Sequence, residues 1–290
     1  MKKAKVLFDV LKPHLREEDE LPWVEKKLAQ LRDDFKARSF FLAFSSCPRF
    51  IQKEKLTFST DQLQKINEAY PNFEAQTWSK EELVRVLFMC QILVAENHQV
   101  LDTLFSTADI KETVALYKGL LFLENADSFA LRAREGLRTN MTDVFDAIAL
   151  HNPFPFLYLS EEAWSHMVLK AMFMGRPLYK VYQIEKRKNK KLALIFLDYA
   201  HERWSAHRKV SPELWRFVSG FVDEQFLEDI KRTIQEGEEL ERLAAIKALR
   251  ESDYPAGQEW LSQKGLDQEA LPSWDEIGRQ VELQQITQNQ

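Results

Sequence analysis

The chain has 290 residues, 45% of them hydrophobic and 29% charged, with a formal net charge of −5. That is enough chain to bury a substantial core, as one large domain or two small ones, with the balance of an ordinary soluble globular protein. Eight glycines argue against a strand-and-turn architecture and against glycine-rich phosphate loops, and the acidic balance gives no global attraction to nucleic acid or an anionic membrane.

The N-terminus opens with Lys2 and Lys3, but Asp9, Lys12 and Pro13 interrupt its apolar run. The run is too short and polar for a secretory segment, and no later stretch approaches a membrane span. Val24, Leu28, Leu31 and Phe35, preceded by Pro22, form one amphipathic helical stripe. Asp33-Asp34 lacks the third aspartate of a metal–diphosphate cluster, because residue 37 is Ala37. Cys47 and Cys90 lie far apart with no partner motif; neither a disulfide framework nor a zinc site is supported. A reducing, cytoplasmic location is the expectation.

Ser59 with Gln62 and Ser79 with Glu82 have capping-box spacing, in which two side chains satisfy free backbone N–H groups reciprocally. The helix after Ser79 is apolar around much of its circumference, through Leu83, Val84, Leu87, Phe88, Cys90 and Leu93, so it should lie between neighbours. Asp109 with Glu112 starts another helix. His151-Asn152-Pro153-Phe154-Pro155-Phe156-Leu157-Tyr158 reads as an extended, aromatic connector, since proline disfavours helix at the residue before it. Ser160 caps a helix rich in Trp164, Met167, Leu169, Met172 and Phe173, whose polar edge is His166 and Lys170. Lys186, Arg187, Lys188, Lys190 and Lys191 form the densest basic run, a solvated connection or a surface for an anionic partner or lipid headgroup.

Asp198-Tyr199-Ala200-His201-Glu202-Arg203-Trp204, a basic connection, and Ser211-Pro212-Glu213-Leu214-Trp215-Arg216 crowd aromatics and charges onto one helix end and the next helix start. On a wheel of about 100° per residue, Asp198, His201 and Glu202 share a polar wedge. Arg203 falls within the apolar arc, between Phe196 and Tyr199. A guanidinium there snorkels, pairs with a carboxylate, or meets an anionic ligand. Asp198, His201 and Glu202 have the spacing of metal ligands on one face, but the further carboxylates of a di-iron bundle and a His-Glu-x-x-His pattern are absent, so no metal or other cofactor is expected. No nucleophilic triad can be read. Ser211-Pro212 is a strong helix start.

The expected fold is all-α: stacked helical hairpins, a HEAT-like α-solenoid. Its best fragment is Glu239-Leu240-Glu241-Arg242-Leu243-Ala244-Ala245-Ile246-Lys247-Ala248-Leu249. The expected divisions are 1–78 (N-terminal helices), 79–262 (helical-repeat core) and 263–290 (C-terminal tail), in one continuous domain. The end of the tail, with Gln280, Gln284, Gln285, Gln288 and Gln290, reads as frayed.

Taken in order, Gly136-Leu137-Arg138-Thr139-Asn140, Val144-Phe145-Asp146-Ala147-Ile148-Ala149, Asn152-Pro153-Phe154-Pro155, Trp164 with Met167-Val168-Leu169-Lys170-Ala171, Asp198 to Trp204, Ser211 to Arg216, and Glu241-Arg242 with Ala244-Ala245 resemble the EboA family of metabolite traffic proteins. The likeness covers roughly residues 126–250, and the first hundred residues show no comparable motif. Arg176 and Phe156 depart from the family pattern, where smaller residues are expected.

The resemblance implies a bacterial, cytoplasmic, all-helical protein of a secondary-metabolite gene cluster, linked to moving a precursor towards the periplasm. It carries over no catalytic residues. The motif positions that could contact a ligand are Arg138, Asn140, Lys170, Asp198, His201, Arg203 and Arg216. The implied partners are a small hydrophobic or prenylated metabolite and other proteins of the cluster, not nucleic acid, with peripheral membrane contact left open. The leading expectation is a non-enzymatic binding or scaffold protein. An enzyme acting on the same metabolite and a pure protein–protein scaffold are the alternatives.

Overall fold

In the computed structural model, which describes residues 2–75 and 77–288, α-helices and short 3-10 turns make up the regular structure. The described residues contain no strand, only an isolated bridge between Lys55 and Ser79. The fold is all-α. None of the described helices is long and apolar enough to cross a membrane. The chain forms two compact units, Met1–Ser160 and Glu161–Gln290.

The first unit is built around the Lys80–Met89 helix, where every residue but Glu82 is buried. Ser79 and Glu82 close the expected capping box at its start, as Ser59 with Gln62 and Asp109 with Glu112 do for the Thr60–Ala69 and Ile110–Gly119 helices. Lys80, at 1% exposure, meets Glu20 at 2.9 Å. Burial alone would raise the Glu20 carboxyl, but the N–H groups of Gln52 and Arg16 and the Lys80 ammonium together hold it below its ordinary range. Arg85 bonds Glu81 at 2.5 Å and the Phe44 carbonyl at 3.1 Å. Lys118 bonds Glu82 at 2.9 Å over the ring of Trp78. These partners are what make so many charges tolerable in a core.

Several local expectations change. Pro22 lies inside the first turn of the Glu20–Asp33 helix, capped by Asp19, and Phe35 falls past its end. The Lys80–Met89 helix stops before Leu93, which is 55% exposed. The connector after His151 is not extended. Asn152 accepts the Phe154 N–H at 2.9 Å and donates to the Ala147 carbonyl at 2.8 Å, opening a short helix, Phe154–Tyr158. Pro153 and Pro155 fit there because the N–H groups of a first turn have no intrahelical partner to lose.

In the second unit, Trp164, Phe196, Trp215, Phe217, Ile230, Ile246 and Ile277 are all fully buried or nearly so. The Glu224–Glu236 and Glu239–Arg250 helices pack as a hairpin across Gly237 and Glu238, compatible with HEAT-like stacking. The glutamine-rich end is not a frayed tail. It forms the Trp274–Gln288 helix, with Trp274, Ile277, Gly278 and Val281 buried. The apolar spacing of those four positions is helical, and glutamines occupy much of the rest. Gln290 lies outside the described residues.

Candidate functional site

The Lys190–Ser205 helix starts at Asn189, whose side chain accepts the Leu192 N–H. Leu192, Ala193, Phe196, Leu197 and Ala200 are its buried residues. Their centre lies about 50° around the wheel from Arg203, so the arginine sits at the edge of the packed stripe and is half-buried. Its Nε donates to the carbonyl of Lys209 at 2.9 Å. This bond ties the helix end to the following loop, where the N–H of Arg208 returns to the Arg203 carbonyl at 2.8 Å and His207 takes a left-handed φ of 53°.

Arg203 opens onto a cleft of about 340 Å³ within the second unit. One wall is apolar, with Met172, Phe173, Tyr199 and Leu240; the rings of Phe173 and Tyr199 lie 4.9 Å apart, and Phe173 is 60% exposed. The Trp274–Gln288 helix supplies Val281, Gln284, Gln285 and Gln288. Three acids, Glu213, Glu238 and Glu241, and two further cations, Arg176 and Lys209, also line it. Among the described residues none of these acids pairs with Arg203: Glu238 is taken by Lys209, and Glu213 by the N–H groups of Leu178 and Tyr179. Burial pushes the Glu213 carboxyl up to about 7 against those two N–H donors, and burial also raises Glu241.

Beneath Glu213 the Trp274–Gln288 helix passes so closely that a Cβ on Gly278 would lie 2.6 Å from Tyr179 Cβ and 2.7 Å from Glu213 Oε1. Only glycine fits that approach without movement. The Tyr179 hydroxyl donates to Glu282 at 2.6 Å, and its pKa is pushed up to about 12 by burial and by that carboxylate.

The other sequence-selected residues are dispersed. Arg138 and Asn140 belong to the first unit and are not among the residues that line this cleft. Asp198 and Glu202 are exposed on the outer face of their helix, and His201 meets Asp229 at 2.8 Å. Lys170 is half-buried, with burial lowering its pKa, and lies outside the cleft lining. Arg216 is 5% exposed and is held by Glu185 and by Asp275 at 3.0 Å. The basic run is largely engaged: Lys188 binds Glu185 and the Arg216 carbonyl, Lys190 binds Asp223, and Arg187 lies over Trp164. Among the described residues no group of three or more His, Cys, Asp or Glu is placed to hold a metal ion.

Sequence reading alone missed Glu213 and the glutamines as parts of one site. Their signal was present: an acid directly before the apolar Leu214-Trp215 pair, and glutamines in register with Ile277 and Val281.

Neither a curated protein nor a solved structure matches the chain. A family model does, described as metabolite traffic protein EboA, and it matches residues 3–219. The match reaches the N-terminal residues, where no motif stands out because apolar core positions accept interchangeable side chains. It stops short of the Glu241-Arg242 fragment. With well over half of its length matched, the chain belongs to the EboA family of metabolite traffic proteins.

Proposed function

We propose that the chain is a non-enzymatic carrier that holds a small hydrophobic or prenylated secondary-metabolite precursor in the cleft around Arg203. It passes that precursor to other proteins of the same gene cluster, from the cytoplasmic side and towards the periplasm. The observation that carries this reading is the state of Arg203: a permanently charged guanidinium beside an apolar aromatic wall, bonded to one backbone carbonyl and to no carboxylate among the described residues. Such a group is suited to receive a ligand's anionic end, while Met172, Phe173 and Tyr199 cover an apolar body. Lys170, on the helix that supplies Met172 and Phe173, serves as a secondary polar contact during loading. The exposed Asp198, His201 and Glu202 face is left for a protein partner.

The test is mass spectrometry of solvent extracts from protein purified out of its native host, wild type beside folded Arg203→Ala. A compound carried by the wild type and depleted in the variant is the expected result. Extracts empty in both, with a protein co-purifying instead, would replace the carrier by a scaffold.

A further inference from the structure

Glu213 lines the same cleft, and the carrier reading gives it no task. It is 2% exposed. Its Oε1 accepts the Tyr179 N–H at 2.8 Å and its Oε2 the Leu178 N–H at 3.2 Å. A carboxylate has about four acceptor positions, so these two N–H groups leave lone pairs unused; Gly278 crowds Oε1, and the position that faces the cleft is the one open to a ligand.

The two charged groups that act on it from the elements packed against it are already bound elsewhere. Arg216, on the helix that follows, favours the ionised form but is bound to Glu185 and Asp275. Glu282, on the Trp274–Gln288 helix, opposes ionisation and is bound to Tyr179 and Lys180. Along the cleft stand the cations Arg176, Arg203 and Lys209 and the acids Glu238 and Glu241. Burial outweighs the two backbone donors and Arg216, so that Glu213 titrates near neutrality.

We propose that Glu213 is the second anchor of the cleft and sets its ligand class: an acidic amphiphile whose acid group sits on Arg203 and shares a proton with Glu213. This rests on the carrier reading. An ionised Glu213 repels the ligand's charge and has no hydrogen to give. A protonated one donates its O–H to a ligand oxygen, while its other oxygen keeps a backbone N–H. Acid and proton therefore enter together and leave together.

The probe for the test is 8-anilinonaphthalene-1-sulfonate, an apolar ring body whose sulfonate stays ionised between about pH 5.5 and 8.5, so that the ligand contributes no titration of its own. Affinity of the full chain for it should fall roughly threefold to tenfold from about pH 6 to 8. Binding to the wild type in weakly buffered solution near pH 7 should take up a fraction of a proton per probe, a measurement that needs no variant. Glu213→Gln should lose most of that pH dependence, Glu241 being the other raised acid of the cleft, and Arg203→Ala should lose the binding at every pH. Arg203-dependent binding with a flat profile and no proton uptake overturns this inference and leaves the carrier intact. Absence of Arg203-dependent binding overturns both.

Discussion

Replacing Arg203 and Arg216 by alanine, one at a time, should separate a ligand anchor from a structural clamp. Arg216 is 5% exposed and joins Glu185 on one side to Asp275 on the other. Its removal leaves a void and breaks two ion pairs, a change that costs about 3–5 kcal/mol for a buried pair. Glu185 and Asp275 are 41% and 50% exposed and can be rehydrated, and Arg216 Nη1 already lacks a partner. The expected loss therefore lies near the lower end, about 3 kcal/mol. Arg203 gives up a single bond to the carbonyl of an exposed loop residue. Water takes that place, so the loss stays below about 1 kcal/mol. Urea denaturation measures both, and probe binding at fixed pH measures the other half: Arg203→Ala loses the probe, whereas Arg216→Ala keeps it wherever the unit is folded. Equal destabilisation by the two variants, or an Arg216→Ala protein as stable as wild type, would refute the reasoning.

Other outcomes follow from the same geometry. Glu20→Gln leaves the buried Lys80 with only the exposed Glu54 at 3.2 Å and should cost roughly 3 kcal/mol. Because the folded Glu20 carboxyl is held below its ordinary 4.5, its contribution is complete above that pH and lost as pH falls through the lower folded value; urea midpoints of the two proteins should converge in acid. Glu213 has the opposite sign. The folded state keeps its proton up to about 7 against an ordinary 4.5, so stability falls as pH rises between those values, by about 3 kcal/mol at most. Glu213→Gln has no such pH-dependent loss but turns its amide NH2 towards one of the two backbone N–H groups, so its stability relative to wild type starts lower and should improve from about pH 5 to pH 8; a constant difference would contradict the assignment. Burial pushes the Cys47 thiol upward and raises that of Cys90 to about 12. Neither should react with a disulfide reagent at about pH 8 until urea unfolds the chain, and rapid modification of native Cys47 would refute its burial.

Where a local rule acts alone, the sequence was a reliable guide. Three capping boxes form as their spacing demands, because each needs only two residues three positions apart. The all-α class follows from scarce glycine and persistent helical periodicity. Tertiary context decided the rest. The wheel placed Arg203 within the apolar arc, but the packed stripe is centred on Ala193, Phe196, Leu197 and Ala200, which moves the arginine to a cleft edge. Arg216 carried the same polar signal as Arg203, and only the positions of Glu185 and Asp275, 31 and 59 residues away, make it a clamp. The glutamine-rich helix reads as a tail in the sequence because glutamine marks no face by itself. Glu213 could not be singled out, since its raised titration depends on burial that one chain position does not reveal.

The Lys80–Met89 helix, buried at every residue but Glu82, also sets an order of events during synthesis. Its Lys80 and Arg85 find their partners in segments that leave the ribosome earlier, Glu20 and the Phe44 carbonyl, whereas Glu82 waits for Lys118. A nascent chain that has emerged from the ribosome to about residue 90 can satisfy two of these cations but still lacks the cover that the Ile110–Gly119 helix brings. Until then one side of this otherwise buried helix faces the solvent, and this is an interval in which a holding chaperone has apolar surface to bind.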